Sequence, residues 1–315
     1  MEERTYLIPV IVGPTAGGKT GLAVELAITL RERGTPAEVV TADAFQVYRG
    51  LNIGTAKPTL DERRGVPHHL LDIIEPTEAF TVHDWLKRAD ALVVDLQSRG
   101  VVPIVVGGTN LYVRAFLDGL FEGPEPEEAI RDELRALGLP AMRAELERVD
   151  PAAAERIDPA DERRTVRALE VFRQTGTPIS DLQQQWESDR GGGRAGAIVV
   201  GLEWPIEAIN SRINARVKGM VERGLVEEVR GLWESGRLGP QAGQALGYKQ
   251  LIEHFESRAT LPDALERVKI ETRRFAKNQR TWLKRFRARA GSAWLDAAGQ
   301  EPGILAQDAF HKLFT

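Results

Sequence analysis

Leu7-Ile-Pro-Val-Ile-Val12, running straight into Gly13-Pro-Thr-Ala-Gly-Gly18-Lys19-Thr20, is the stretch that decides the fold. Six mostly apolar residues halted by a glycine read as a short strand buried on both faces, the kind that parallel sheets use. The next eight residues fill every fixed position of G-x-x-x-x-G-K-[ST]. A helical pattern starts at Lys19, apolar at Leu22, Val24, Leu26, Ala27 and Leu30, and stops at Gly34. Strand, glycine-rich turn and helix in that order make a phosphate-binding loop, the P-loop. Gly13, Pro14, Thr15, Ala16, Gly17, Gly18, Lys19 and Thr20 form that loop; its backbone N–H groups, which every residue but Pro14 carries, turn toward phosphate oxygens, and the helix N-terminus favours negative charge there. Lys19 brings a cation to the terminal phosphate, and Thr20 offers a hydroxyl to Mg2+.

Outward from the loop, the pattern repeats. Glu38 to Thr41 reads as a second strand, His83 to Gln97 as a helix, and Val101 to Val106 as a third strand ending in Gly107 and Gly108. Alternation of this kind predicts an α/β fold with a parallel sheet and helices on both faces. From about Phe121 to Arg194 the chain turns rich in Ala, Glu, Arg and Pro, and helices are expected at Glu127–Leu137, Ala141–Val149 and Asp161–Thr175. The cluster Gly191-Gly192-Gly193 leads into Ile198 to Leu202, a strand returning to the sheet. The expected organisation is a P-loop NTPase-like core over residues 1–120 and 195–315, a helical insertion domain over 121–194, and a mostly helical C-terminal part from Ile206.

The chain has 315 residues, of which 42% are hydrophobic and 28% charged, with a net charge of −4. That suits a globular protein and argues against disorder. With no cysteine, disulfides, thiolate metal sites and cysteine nucleophiles are excluded. The charged start, Met1 to Thr5, lacks the apolar core of a signal peptide, and no apolar run nears the roughly 20 residues that span a bilayer. A cytoplasmic protein without a membrane partner is the expectation. An acidic chain that binds nucleic acid must do so through a local basic surface.

A P-loop alone means only a phosphorylated ligand. A motor or GTPase would carry a second apolar strand ending in an acid aimed at Mg2+, but Val101–Val106 ends in Gly107-Gly108-Thr109, and Val93-Val94-Asp95 falls inside a helical pattern. A small-molecule kinase, binding ATP, or a transferase with a diphosphate leaving group remains. Asp43 closes the second strand, where open parallel sheets bind ligands. There it is either a general base or a turn-capping carboxylate.

Asp43-Ala-Phe-Gln-Val-Tyr-Arg-Gly-Leu-Asn-Ile-Gly-Thr-Ala-Lys-Pro58 closely resembles the signature of tRNA dimethylallyltransferases. So do Val66-Pro-His-His-Leu-Leu-Asp72, Gly107-Gly-Thr-Asn-Leu-Tyr112, Arg163-Arg-Thr-Val-Arg-Ala-Leu-Glu-Val171, Gly247-Tyr248 and Thr272-Arg-Arg-Phe-Ala-Lys-Asn-Gln-Arg-Thr-Trp282. The resemblance spans about residues 7 to 287. It implies transfer of a dimethylallyl group from dimethylallyl diphosphate to N6 of adenosine 37, in tRNAs reading codons that start with U. The P-loop would then hold the donor's diphosphate, with Mg2+ as cofactor, and the protein would act as a monomer on the anticodon stem-loop.

In that reading Asp43 is the base, and Lys19, Thr20 and Arg216 attend the leaving group. Family positions that meet tRNA fall on Asp43, Ala44, Phe45 and Gln46, on Thr109, on Arg163, Arg164, Thr165, Val166 and Arg167, and on Gln244, Ala245, Leu246, Gly247, Tyr248 and Lys249, with Arg131 a further one. The chain departs from the family where Ala44 replaces a serine, Arg163 a glutamine, and Gln244 and Lys249 arginines. A lysine lacks the arginine fork, which weakens bidentate contacts.

Arg273, Lys277, Arg280, Lys284 and Arg287 share one helical stripe, suited to RNA phosphates, while Phe275, Trp282 and Phe286 are expected to pack inward. The five histidines show no metal-ligand spacing, and His68 and His69 read as structural.

Overall fold

The computed structural model describes residues 7–121, 123–189 and 193–314, in two compact units, one of residues up to 117 with those from 194 on, the other 118–193. Met1 to Thr5 and the glycines Gly191 and Gly192 lie outside the described residues.

The larger unit is an α/β layer structure. Along the chain come β1 (Ile8–Val12), α1 (Lys19–Glu32), β2 (Ala37–Thr41), α2 (Leu60–Arg63), β3 (His68–His69), α3 (Val82–Ser98), β4 (Val102–Val106) and α4 (Asn110–Asp118). The sheet runs β3-β2-β4-β1 and is continued after residue 194 by β5 (Ala197–Glu203) and β6 (Ala293–Asp296). Every pairing is parallel, with Val10 beside Val105 and Val199, and Val39 beside Ile104. Period-two alternation divides the strand side chains between two cores. Ile8, Val10 and Val12 join one with Val40 and Val105, while Ile11 joins the other with Val39, Ile104 and Val200.

The second core is covered by α1 and by α14 (Pro302–Phe314), where Arg33 lies 4.0 Å over the Phe310 ring. The first is covered by α3 and α4, and by α10 (Ile206–Glu222), α11 (Leu225–Glu234), α12 (Tyr248–Phe255) and α13 (Leu261–Arg287). The tail is mostly helical, as its sequence suggests, and it also holds a strand that the sequence reading did not name. Ala293-Trp-Leu-Asp296 is a sixth strand, four residues long, too short for alternation to declare itself. His68 and His69 form a two-residue edge strand beside β2.

The smaller unit holds α5 (Glu128–Leu137), α6 (Leu139–Val149), α7 (Pro151–Arg156), α8 (Glu162–Thr175) and α9 (Ile179–Asp189). It has its own core of Leu134, Met142, Leu146, Val166, Leu169 and Val171. α7 and α9 have no counterpart in the sequence reading. The first is a two-turn helix opened by Asp150, whose carboxylate accepts from the Ala153 N–H, with Pro151 at its first position. The carboxylate of Glu170, with a fully buried side chain, accepts from both Arg131 (2.9 and 3.2 Å) and Arg167 (2.7 Å) and from the Glu127 N–H. Desolvation pushes its pKa up, but the bonds from Arg167, Glu127 and Arg131 outweigh that and hold it below the usual carboxylate range.

Candidate active site

At the carboxyl ends of β1, β2 and β4 lies a cavity of about 640 Å3, formed within the larger unit. Its floor is the P-loop. Gly18 takes φ 88°, which lets the chain turn into α1 without steric cost. The amides of Gly18, Lys19 and Thr20 open that helix, so they have no intrahelical acceptor and are free to meet an anion. Other elements hold the loop's remaining groups. Trp204 Nε1 donates to Gly17 O (3.0 Å), Arg212 Nε to Ala16 O (2.8 Å), and the Thr15 N–H donates to Gln279 Oε1 (2.7 Å). Ala16 sits at φ 60° and Ala56, on the facing wall, at φ 49°; both line the cavity. Left-handed alanine is a mild strain of the kind binding sites carry.

Lys19 Nζ rests on Gly13 O and Pro14 O, at 3.1 and 2.8 Å. Burial first and the Arg216 charge second push its pKa down to about 7, against the opposing pull of Asp43. Arg216, from α10, is lowered too, by desolvation first, again with Asp43 opposing. Arg212 and Arg223 also line the cavity, whose acids are Asp43 and Glu62. Three arginines, with Lys19 when it is protonated, face two carboxylates, a balance suited to an anion.

Asp43 follows β2. The buried indole of Trp85 anchors the strand end by donating to Thr41 O (2.8 Å). Gly107 fixes it from the other side, since a Cβ there would stand 2.0 Å from Ala42 O, closer than any side chain allows. Asp43 Oδ1 accepts from the N–H groups of Phe45 (2.9 Å) and Gln46 (3.2 Å). Oδ2 takes no hydrogen bond from the described residues. The turn-capping and general-base readings are thus compatible: one oxygen holds the turn, and the other is left for chemistry. Thr109 Oγ1 accepts from the Ala44 N–H (3.0 Å), and Gln46 Nε2 donates to Thr55 O and Ala56 O at 3.0 and 3.2 Å. Ala44 and Phe45 pack against the core.

The wall at residues 52–57 is fixed from behind. The Glu228 carboxylate accepts from the N–H groups of Asn52, Ile53 and Gly54 and from Tyr248 Oη (2.5 Å). Lys57 Nζ donates to Tyr48 O (2.7 Å) and Asp72 Oδ1 (2.5 Å). Tyr248 is fully buried and braces this wall through Glu228, Ala245 and Gly247 are buried beside it in sequence, and Gln244 and Lys249 are exposed. Leu246 is intermediate.

In the smaller unit Thr165 and Val166 are buried, Arg163 is exposed, Arg164 pairs with Asp161 (3.2 Å), and Arg131 and Arg167 are engaged by Glu170. Along α13, Phe286 is buried and Trp282 half-buried, but Phe275 is 38% exposed and lines the cavity. Its inward placement was a helical-face inference, and the cavity, not the core, lies on that side. On the cationic stripe Arg273 and Arg287 are paired with Glu266 and Glu203, whereas Lys277 and Lys284 are exposed and make no ion pair among the described residues. Asp95, on α3, pairs with Arg99 and stands apart from the cavity lining. Among the described residues no cluster of His, Cys, Asp or Glu could hold a metal on its own, and no helix is long and apolar enough to cross a membrane.

Comparison with known proteins agrees along the whole chain. Residues 46–286 match the family described as IPP transferase, and residues 6–79 match isopentenyl transferase. The tRNA dimethylallyltransferase of Geobacillus kaustophilus is 45% identical over 300 residues, covering 93% of this chain and 92% of its own. That of Thermobifida fusca is 46% identical, over 87% and 86%. Among solved structures, the tRNA isopentenylpyrophosphate transferase of Bacillus halodurans superposes with a TM-score of 0.69 at 36% identity, covering 98% of this chain and 97% of its own. A eukaryotic dimethylallyltransferase acting on tRNA superposes with a TM-score of 0.81 at 27% identity, covering 97% and 78%.

Proposed function

Because this chain belongs to the IPP transferase family, we propose that its cavity joins a dimethylallyl group to N6 of adenosine 37 in tRNAs reading codons that start with U. Its activity is dimethylallyl transfer to tRNA. The donor is dimethylallyl diphosphate, with its diphosphate on the amides of Gly18, Lys19 and Thr20. The observation that carries this reading is the free oxygen of Asp43 in the same cavity as a P-loop whose neighbouring strand β4 runs out into Gly107 and Gly108 and not into an acid. A kinase must manage a γ-phosphate and its acceptor; a prenyl transferase needs only a cradle for a leaving diphosphate and a base.

The N6 lone pair attacks the first carbon of the dimethylallyl group as that carbon's bond to diphosphate oxygen breaks. The N6 proton passes to Asp43 Oδ2, a transfer that relieves the poor nucleophilicity of an exocyclic amine. Lys19 and Arg216 meet the charge growing on the diphosphate, and the loop amides are already aimed at it. The Thr20 hydroxyl lines the cavity and has no hydrogen-bond partner among the described residues. It suits Mg2+, which takes few protein ligands and completes its shell with phosphate oxygens and water. When bound, the ion would add positive charge beside the leaving group.

The adenine has to leave the anticodon stack to reach Asp43. In this reading the RNA is received in the larger unit by the Asp43–Gln46 turn, Thr109, Gln244 and Lys249, and in the smaller unit by Arg163. The buried members of those blocks, Thr165, Val166, Ala245, Gly247 and Tyr248, position them. The same reading has a monomer working in the cytoplasm.

The test supplies Mg2+, radiolabelled dimethylallyl diphosphate and an unmodified anticodon stem-loop with A37, beside an A37→G control. Label on the A37 RNA alone supports the reading. Label on neither RNA, with ATP turned over in parallel, replaces it with a kinase.

A further inference from the structure

Gln279 lies on α13, far in sequence from the P-loop, yet it is 1% exposed and both ends of its amide are spent on that loop's surroundings. Oε1 accepts from the Thr15 N–H at 2.7 Å, and Nε2 donates to Gly108 O at 2.8 Å. Gly108 leaves room for this contact, since a Cβ there would stand 3.3 Å from Nε2. The next residue, Thr109, carries the hydroxyl that accepts from the Ala44 N–H, one residue beyond Asp43. A short chain of bonds therefore runs from Thr15 through Gln279 to the Gly108–Thr109 turn and on to the base.

We propose that Gln279 is a positioning residue for prenyl transfer, a strut that sets the diphosphate cradle in register with Asp43. It touches neither substrate in this role. It fixes the distance between the leaving group's seat and the proton acceptor, and it stops the Thr15 peptide from turning away when the cradle is empty. Only a side chain with a donor and an acceptor on one planar head can bridge an N–H and a carbonyl this way. The proposal rests on the reading of the cavity as a diphosphate and base site.

The test compares the wild type with Gln279→Met, which keeps volume and loses both bonds, and with Gly108→Ala, which crowds the strut without touching it chemically. Two quantities are read: binding of inorganic pyrophosphate with Mg2+, and kcat and KM for transfer to the stem-loop. Displacement of reacting groups by about an ångström can cost ~100-fold in rate. Gln279→Met is expected to lose at least ~10-fold in kcat and in pyrophosphate affinity, with KM for RNA unchanged and a cooperative melt retained. Gly108→Ala is expected to shift both in the same direction by less. Because a Cβ at Gly108 also comes within 3.7 Å of Lys19 Nζ, Gln279→Glu, which keeps the acceptor for Thr15 and loses the donor to Gly108, decides if Gln279→Met fails to fold.

Variants that lose active fraction by titration, yet keep wild-type kcat per active site and wild-type pyrophosphate affinity, would overturn the strut and leave Gln279 as packing. A wild type that binds pyrophosphate but transfers no prenyl group would instead sink the proposed function. Weakened pyrophosphate binding in Gln279→Met would still uphold the strut.

Discussion

At Asp43 one carboxylate oxygen already serves the backbone, accepting from Phe45 and Gln46, and this makes the decisive substitution a clean one. Asp43→Asn keeps a carbonyl for those two N–H groups and removes the proton acceptor. It is expected to lower kcat by about 10²–10⁴-fold with Tm and KM for RNA little changed, as steady-state kinetics and a melt would show. Lys19 gives a pH signature. Its pKa, pushed down to about 7 from an ordinary 10.5, means that this lysine gives up its proton between those values and regains it against a diphosphate. Pyrophosphate binding at pH 8.5 is therefore expected to take up more protons in the wild type than in Lys19→Met, read from the buffer dependence of the calorimetric enthalpy. The linkage to stability has the same origin. An unfolded lysine holds its proton up to 10.5, so the empty protein gains stability from this group as pH rises above 7 and loses that gain as pH falls back through 7. Residues named by a motif were legible in the sequence because the motif dictates their geometry. Gln279 sits in the matched block Thr272–Trp282, yet its partners were not legible, since a glutamine inside a basic helix announces none until folding brings Thr15 and Gly108 to it.

Elements were readable where their periodicity was long. α1, α3 and α8 fall within a residue or two of their expected spans because each carries several turns of pattern. β6 was missed because four residues cannot display alternation, and its place in the sheet depends on β5 being there first. On α13 the sequence shows a full cationic stripe, whereas folding pairs its two ends with acids and leaves Lys277 and Lys284 exposed. If these lysines follow RNA phosphates, Lys277→Ala with Lys284→Ala should flatten the slope of log affinity against log salt by about 2, measured with the stem-loop across a KCl series. α5 and α8 depend on one buried carboxylate. Glu170→Ala leaves Arg131 with Glu128 and Arg167 with Pro124 O alone, and is expected to cost about 2 kcal/mol of stability, seen by urea denaturation, with protection from hydrogen exchange lost first in these helices.

At the scale of the molecule, the Arg194 N–H donates to Leu117 O at 2.8 Å, so the chain leaves the larger unit and rejoins it at hydrogen-bonded neighbours. The cavity draws every lining residue from that larger unit. Replacing residues 118–193 with a short turn is therefore expected to leave a folded protein with unchanged pyrophosphate affinity. If Arg163 and its neighbours receive RNA, the same protein should bind the stem-loop at least ~10-fold more weakly, since several phosphate or base contacts go at once.

The helix that follows the P-loop buries its apolar face under α14, the last helix described. During synthesis, then, the cradle's own helix can settle on the sheet early, but the side that faces α14, where Gly21 meets Pro302, stays uncovered until α14 follows. A nascent chain stalled before residue 302 would hold every residue of the cavity and still be a client for chaperones.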